Sequence, residues 1–172
     1  MTIIELGALG ELLGSIGVIG TLVYLAIQVR QNSRSLNWTI EQSVAESLSS
    51  MFDAAAGTDV PHIYTRAASG LDTLSDEEIA KFGFFLSSYF KKMEQAYFQY
   101  SRGNLSEESW NAIDSTILIQ FQSIGVKRFW RLRAPNYQTK FRNYVDLLES
   151  RDSPALSSSD VMNELKKNPD DF

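Results

Sequence analysis

The sequence contains no cysteine and only one histidine, His62. Without cysteine the chain has no disulfide, no iron–sulfur cluster, no thiolate zinc site and no cysteine nucleophile. One histidine also excludes the paired Glu-x-x-His motifs of ferritin-like di-iron proteins. Because His62 follows Pro61, we expect it in a loop or a helix cap, and we predict neither a metal site nor a cofactor.

Motifs of nucleotide binding and catalysis are missing as well. The sequence has no Gly-x-Gly-x-x-Gly and no Walker-type loop, and the single histidine has no evident partners for a Ser-His-Asp triad. The acids Asp76, Glu77 and Glu78 are typical of a helix start, where the helix dipole favours carboxylates. A net charge of −5 and a pI near 4.9 disfavour nucleic-acid binding. These absences predict a protein that is not an enzyme and does not bind nucleic acid.

Formal charge is absent from one long apolar run, Leu12–Val29, which is eighteen residues in length. As a helix this run spans about 27 Å, close to the hydrocarbon thickness of a bilayer. Its polar residues, Ser15, Thr21 and Gln28, are too few to form the polar face of a soluble helix. We therefore predict a single-pass transmembrane helix, and the alternative is a buried helix or hairpin of a soluble protein.

The charges around this run predict its orientation. Glu5 and Glu11 precede it without any basic residue, which fits a cleaved signal peptide poorly. The first basic residues, Arg30 and Arg34, follow it at once. By the positive-inside rule the N-terminus lies outside and the body lies in the cytoplasm. We predict the inner (cytoplasmic) membrane of a bacterium as the location.

Small residues recur along the apolar run at spacings of three and four, which places them on one helical stripe. A stripe of small residues lets a second helix approach closely, and a mean spacing of 3.5 favours a left-handed crossing. The stripe predicts contact with a second copy or with a partner subunit; the alternatives are ordinary glycine enrichment of membrane helices and a pore built from several copies. Its members are Gly7, Gly10, Gly14, Gly17 and Thr21.

After Arg34 the pattern remains helical. Apolar residues with a period of three or four predict helices at about 35–56, 75–102, 105–124, 126–133 and 136–150. Ser75 and Glu78 form a capping box at the second start, and Gly57 is a plausible helix end. No stretch alternates with a period of two, so no sheet is predicted. The fold class is all-α: one transmembrane helix continuing into an antiparallel bundle of about four helices.

The same pattern predicts three parts of the chain. These are an anchor with a juxtamembrane segment at 1–34, a soluble helical bundle at 35–150, and a polar, Ser-rich tail at 151–172. The helix at 75–102 carries many aromatic residues on its apolar face. We interpret them as a packed core, and a pocket for a lipid, a quinone or a pigment is the alternative.

Basic residues concentrate between Asp114 and Asp146, where the sequence has no acid. Phe129, Trp130 and Tyr137 are interleaved with them. An anionic lipid surface suits such a patch, while an acidic protein or RNA is a further alternative. The other interpretation is that the patch makes contacts within the molecule: its charges face the acidic start of the helix at 75, and its aromatic residues lie in the core. The basic residues are Lys127, Arg128, Arg131, Arg133, Lys140 and Arg142.

The run TLVYLAIQVRQN at 21–32 resembles the opening of a widespread group of small, uncharacterised bacterial proteins with an N-terminal membrane helix. The C-terminal part is similar to theirs too: Gly125, then Trp130 with basic neighbours, then Phe141-Arg-Asn-Tyr144-Val145. The resemblance covers the two ends of the chain. It implies a bacterial origin and a membrane-anchored topology, and it assigns no activity and no functional residue.

Together these patterns predict a membrane-anchored helical protein that functions by assembly. It would be either a homo-oligomeric scaffold or an accessory subunit of a larger membrane complex. The alternative is a module that binds or senses a hydrophobic ligand through its aromatic core.

Overall fold

The computed structural model describes residues 3–148 together with Val161, Glu164 and Lys166. Within this part of the chain all regular structure is helical, which confirms the all-α prediction. Six α-helices are present, and a short 3-10 helix, Ala134–Asn136, separates the last two. The α-helices are α1 (Ile3–Ala56), α2 (Val60–Ser69), α3 (Asp76–Ser101), α4 (Glu107–Gln120), α5 (Ile124–Arg133) and α6 (Thr139–Leu148).

The chain divides into two compact units, Met1–Thr39 and Ile40–Phe172. The described part of the first unit belongs entirely to α1, and the second unit contains the end of α1 and the other helices. The boundary lies after Thr39, whereas the sequence pattern placed the end of the anchor at residue 34. The predicted tail at 151–172 lies outside the described residues, apart from the three named above.

Helix α3 is the centre of the second unit. Its start is the predicted capping box: the Ser75 hydroxyl accepts from the Glu78 backbone N–H, and the Glu78 carboxylate accepts from the Ser75 N–H at 2.8 Å. Gly103 follows its end with a φ of +76°, a left-handed conformation that favours glycine. The buried residues of α3 are Phe82, Leu86, Tyr89, Phe90, Met93, Glu94 and Ala96.

Ring contacts give the directions of the helices around α3. Phe90 contacts Phe121 near the end of α4, while Tyr97 contacts Trp110 near its start, so α3 and α4 are antiparallel. Phe90 also contacts Tyr137, and Tyr97 contacts Tyr144 further along the chain, so α6 is parallel to α3. Tyr64 contacts Phe85, while Arg66, later in α2, bonds to Glu78 at the start of α3, so α2 is antiparallel to α3.

Helix α2 is absent from the sequence prediction. Asp59 precedes it, and Pro61 occupies its first turn. Proline is tolerated there because the first backbone N–H groups of a helix have no intrahelical acceptor. Ile63 and Ala67, one turn apart, are buried against the core. The expectation that His62 lies in a loop or a cap is wrong, since it is an exposed residue in the first turn of α2.

Gly125 is a second departure from the sequence pattern, which left it between the predicted helices at 105–124 and 126–133. The break lies earlier, at Phe121–Ser123, and Ser123 caps α5 by accepting from the Val126 N–H. Gly125 itself is buried within α5. A Cβ atom added there would lie 2.6 Å from the Ala67 backbone oxygen, so this glycine permits the close approach of α5 to α2.

Replacing Gly125 with alanine should destabilise the second unit. The methyl group meets backbone that cannot swing aside, and overpacking of this kind costs about 1–3 kcal/mol, partly offset by the higher helix propensity of alanine. The matched control is Gly83→Ala in α3, where an added Cβ meets nothing within 4 Å. The control should stabilise by about 0.5–1 kcal/mol. Thermal unfolding of the full chain in mild detergent, followed by circular dichroism, measures both; a rise in Tm for both variants would contradict the close approach.

Candidate functional site

The first candidate surface is the apolar part of α1. By length and composition this helix is able to cross a membrane, and it is the one such helix in the described part of the chain. Its large apolar side chains between Leu13 and Val29 are 51–66% exposed. An exposed apolar surface of this extent is atypical of a monomeric soluble protein and marks a membrane or protein contact.

The polar side chains of this segment bond within the helix. Ser15 Oγ donates to the Glu11 carbonyl oxygen at 2.6 Å, and Thr21 Oγ1 donates to the Gly17 carbonyl oxygen at 2.8 Å. Gln28 Nε2 donates to the Tyr24 hydroxyl at 2.8 Å. Hydroxyl and amide groups satisfied in this way need no water, which suits them to a bilayer.

The glycines of the predicted stripe lie on α1 and are open. A Cβ added to Gly7, Gly10, Gly14 or Gly17 would meet nothing within 4 Å. The Thr21 hydroxyl is turned back onto the backbone of its own helix. The stripe therefore leaves backbone accessible along one side of the first unit, where another helix has room to approach.

The second candidate surface derives from the six basic residues, and the structure does not hold them together. Lys127, Arg128 and Arg131 share one side of α5 with Ile124 and Leu132, since these residues are spaced by one or two helical turns. All of them are exposed except the half-buried Lys127. We call this surface the α5 outer face: Ile124, Lys127, Arg128, Arg131 and Leu132.

The other three basic residues lie elsewhere. With 3.6 residues per turn, Arg133 projects about 100° from Leu132 around the α5 axis, away from the outer face. Its charge acts on Tyr137 instead. On α6 the buried residues are Phe141, Val145 and Leu148. Lys140 and Arg142 flank this buried side, each about 100° from Phe141 around the helix and in opposite directions. Only part of the basic sequence patch therefore forms one surface.

The aromatic residues of the basic patch belong to the core. Phe129, Trp130 and Tyr137 are all buried, and Trp130 Nε1 donates to Asp146 Oδ1 at 2.8 Å. The ring centroids of Phe90 and Trp130 are 4.8 Å apart. The rings on α3 thus pack on one another and on the rings of α5, the arrangement expected of a packed core rather than of a ligand pocket.

The contact of Arg128 with an acidic residue is weak. Arg128 Nη1 lies 4.0 Å from Asp72 Oδ1, at the limit of an ion pair, and the two side chains are 61% and 96% exposed. Pairs of this kind contribute about 0–1 kcal/mol in water. The predicted acidic partner of the patch, the start of α3, forms other pairs: Glu78 with Arg66 at 2.6 Å and Glu77 with Lys81 at 2.9 Å.

Buried and half-buried carboxylates in the second unit hold helices together. Glu94 accepts from Lys91 Nζ at 2.8 Å and from the Gln138 N–H at 2.6 Å, which fixes the start of α6 to α3. Burial, followed by the negative charge of Glu94, raises the pKa of Tyr137 to about 12. These contacts join α3 to the start of α6.

Glu41 of α1 caps α4 in a similar way. It accepts from the Ser106 N–H at 2.9 Å and from Ser109 Oγ at 3.3 Å. Hydrogen bonds from Ser106 lower the pKa of Glu41 below its usual value. The resulting stabilisation is present at neutral pH and is lost as the pH falls through that lowered pKa.

In the part of the chain that the structure describes, no group of three or more histidine, aspartate or glutamate side chains converges on a point where a metal ion would fit.

Burial raises the pKa of Tyr64 and of Tyr89 above the usual value for tyrosine. Both phenols are therefore neutral at physiological pH, as core residues.

The sequence prediction did not identify two residues of the α5 outer face. Ile124 is 57% exposed and Leu132 is 73% exposed. They are eight residues apart with Arg128 midway, so a helical period applied to 124–133 would have placed them beside the basic residues. The sequence prediction instead divided this segment between two helices, at 105–124 and 126–133, so the period was not applied across Gly125.

Comparison of the chain with protein-family models, with curated proteins and with solved structures finds no match.

Proposed function

We propose that the chain is a membrane-anchored helical protein that functions by assembly and catalyses no reaction. The observation that carries this proposal is the exposed apolar segment of α1, Leu13–Val29. Water disfavours so large an apolar surface, whereas a bilayer solvates it. The internal hydrogen bonds of Ser15, Thr21 and Gln28 give further support.

The proposed location is the inner membrane of a bacterium, with the second unit on the cytoplasmic side. Arg30 and Arg34 directly after the apolar segment support this orientation. The resemblance of residues 21–32 to small bacterial membrane proteins supports the same topology. A cysteine introduced by Ser35→Cys into this cysteine-free chain tests the orientation, because a membrane-impermeant thiol reagent reaches it only from the side on which it lies.

Assembly is proposed to occur through the glycine stripe, either between copies or with a partner subunit. Open backbone at Gly10, Gly14 and Gly17 allows a second helix to pack closely in lipid, where close packing replaces the hydrophobic driving force. The accessory-subunit form of the proposal uses the same contact with a different chain. Both forms give the second unit a fixed place at the membrane surface.

Replacing Gly14 and Gly17 with leucine should disperse the assembly. The two side chains fill the space that a second helix would occupy, so the particle should fall to the mass of one 19.4 kDa chain plus detergent. Native mass spectrometry of the complex extracted in mild detergent measures this. Ile16→Leu and Val18→Leu together are the matched control, since both lie beside the stripe. An unchanged complex in the glycine variant would contradict assembly through the stripe, and additional chains in the wild-type complex would identify an accessory subunit.

A further inference from the structure

The α5 outer face combines exposed basic and exposed aliphatic side chains on one helix. Arg128 and Arg131 are exposed there, and Ile124 and Leu132 expose more than half of their surface. The opposite side of α5 is fully engaged, with Val126, Phe129 and Trp130 buried in the core. Helix α5 is therefore held rigidly by one side and presents a mixed basic and apolar surface on the other.

We propose that the α5 outer face docks on anionic lipid headgroups. The choice of occupant follows from chemistry: helices that lie in a membrane interface carry lysine and arginine beside leucine or isoleucine, so that the cations meet headgroup phosphates and the aliphatic chains enter the acyl boundary. Each basic residue near an anionic bilayer strengthens such binding about five-fold. Leu132, the most exposed apolar residue on this helix, is the residue that enters the boundary.

The contact of Arg128 with Asp72 does not prevent this docking. The Arg128–Asp72 contact is 4.0 Å long between two exposed side chains, so a phosphate can replace the carboxylate at little cost. Docking on a bilayer removes Ile124 and Leu132 from water, which is favourable for apolar side chains. An acidic patch on a soluble protein would give the same gain only if it were also apolar. The charge and the aliphatic residues together favour a lipid surface.

The docking rests on the proposed function, because an anchor in the same chain keeps the second unit close to a bilayer. Tethering raises the local concentration of the lipid surface, so that even weak contact by a small face becomes populated. Docking differs from anchoring in its dependence on charge. It requires anionic lipid and weakens as salt screens the headgroups, whereas insertion of the apolar helix depends on neither.

The absence of cysteine makes a site-specific test direct. A Leu132→Cys variant of the full chain carries one environment-sensitive fluorophore, and it is reconstituted into vesicles of phosphatidylcholine alone or of equal parts phosphatidylcholine and phosphatidylglycerol. Both vesicles contain a headgroup-proximal quencher lipid. We expect quenching in the anionic vesicles only, and its loss in high salt. A Phe84→Cys variant is the control, because Phe84 is 79% exposed on α3 outside the α5 outer face, and its label should remain unquenched.

Charge removal sharpens the test. Adding Lys127→Gln and Arg128→Gln to the labelled chain should lower the ratio of docked to free second unit roughly 25-fold, at about five-fold for each basic residue. Equal quenching with both vesicles, or quenching unaffected by these two substitutions, would overturn an anionic lipid as the occupant. A label that responds to protein concentration without quencher lipid would instead identify a second copy on this face, which also overturns the proposal.

Alkaline carbonate extraction of the same vesicles separates the two proposals. A chain that resists extraction but shows no quenching at position 132 is anchored and does not dock, so the docking proposal alone fails. A chain that carbonate releases, yet whose label is quenched when anionic vesicles are added at neutral pH, docks without being anchored. In that case the proposed function fails and the docking stands.

Discussion

Replacing Ile19 and Leu22 with arginine is expected to release the chain from the membrane. Both residues lie near the middle of the apolar segment of α1 and are about 60% exposed. An arginine at the centre of a membrane helix costs about 2.5–3.5 kcal/mol on insertion scales, so two of them should abolish stable integration. Neither residue belongs to the glycine stripe. A change in assembly is therefore not needed to explain the expected release.

Membrane fractionation with alkaline carbonate measures this effect. The wild-type chain should remain in the pellet, and the double arginine variant should be found in the supernatant or be degraded. The matched control introduces the same two charges outside the apolar segment, with Gln31→Arg and Ser35→Arg, and should remain in the pellet. A double arginine variant that resists carbonate as well as the wild type does would contradict a membrane-spanning α1.

Replacing Phe90 with alanine is expected to be the most damaging single truncation in the second unit. Phe90 is fully buried on α3, and its ring contacts Trp130 at 4.8 Å and Tyr89 at 5.2 Å between centroids. Three more aromatic rings surround it with centroid distances of 5.9–6.0 Å, one each from Phe121, Phe129 and Tyr137. Removing a buried phenyl ring costs about 3–5 kcal/mol, through lost burial and the cavity that remains.

Urea unfolding of the full chain in mild detergent, followed by tryptophan fluorescence, measures this loss. The midpoint should fall strongly while the slope with denaturant is unchanged, since the same surface is exposed on unfolding. Phe84→Ala is the matched control: this ring on the same helix is 79% exposed, and the change should stay within about 0.5 kcal/mol. Equal effects of the two truncations would contradict the position of Phe90 at the centre of the core.

Local signals in the sequence predicted much of the fold. The capping box of Ser75 and Glu78 and the end of that helix near residue 102 are features of a few neighbouring residues, and the structure has both. The helical class, the end of α1 at Ala56 and the apolar segment near the N-terminus were predicted from periodicity and composition in the same way. Such features depend on interactions within one or two helical turns, which the sequence displays directly.

The candidate surfaces were predicted less completely. The sequence places six basic residues in sixteen positions, but neighbours in sequence point in different directions around a helix. Only Lys127, Arg128 and Arg131 share the α5 outer face, while Arg133 acts on Tyr137. Knowing which side of α5 is buried was necessary before Ile124 and Leu132 could be recognised as part of that surface.

The sequence by itself determined that the chain is helical, that it has no thiol chemistry, and that one N-terminal segment is apolar enough to span a bilayer. The tertiary structure alone shows why residue 125 is a glycine, because a Cβ there would meet the backbone oxygen of Ala67, which is far away in sequence. It also decided that Glu41 caps α4 from another helix. Contacts of this kind join residues separated by more than fifty positions, so no local pattern encodes them and only the packed chain reveals them.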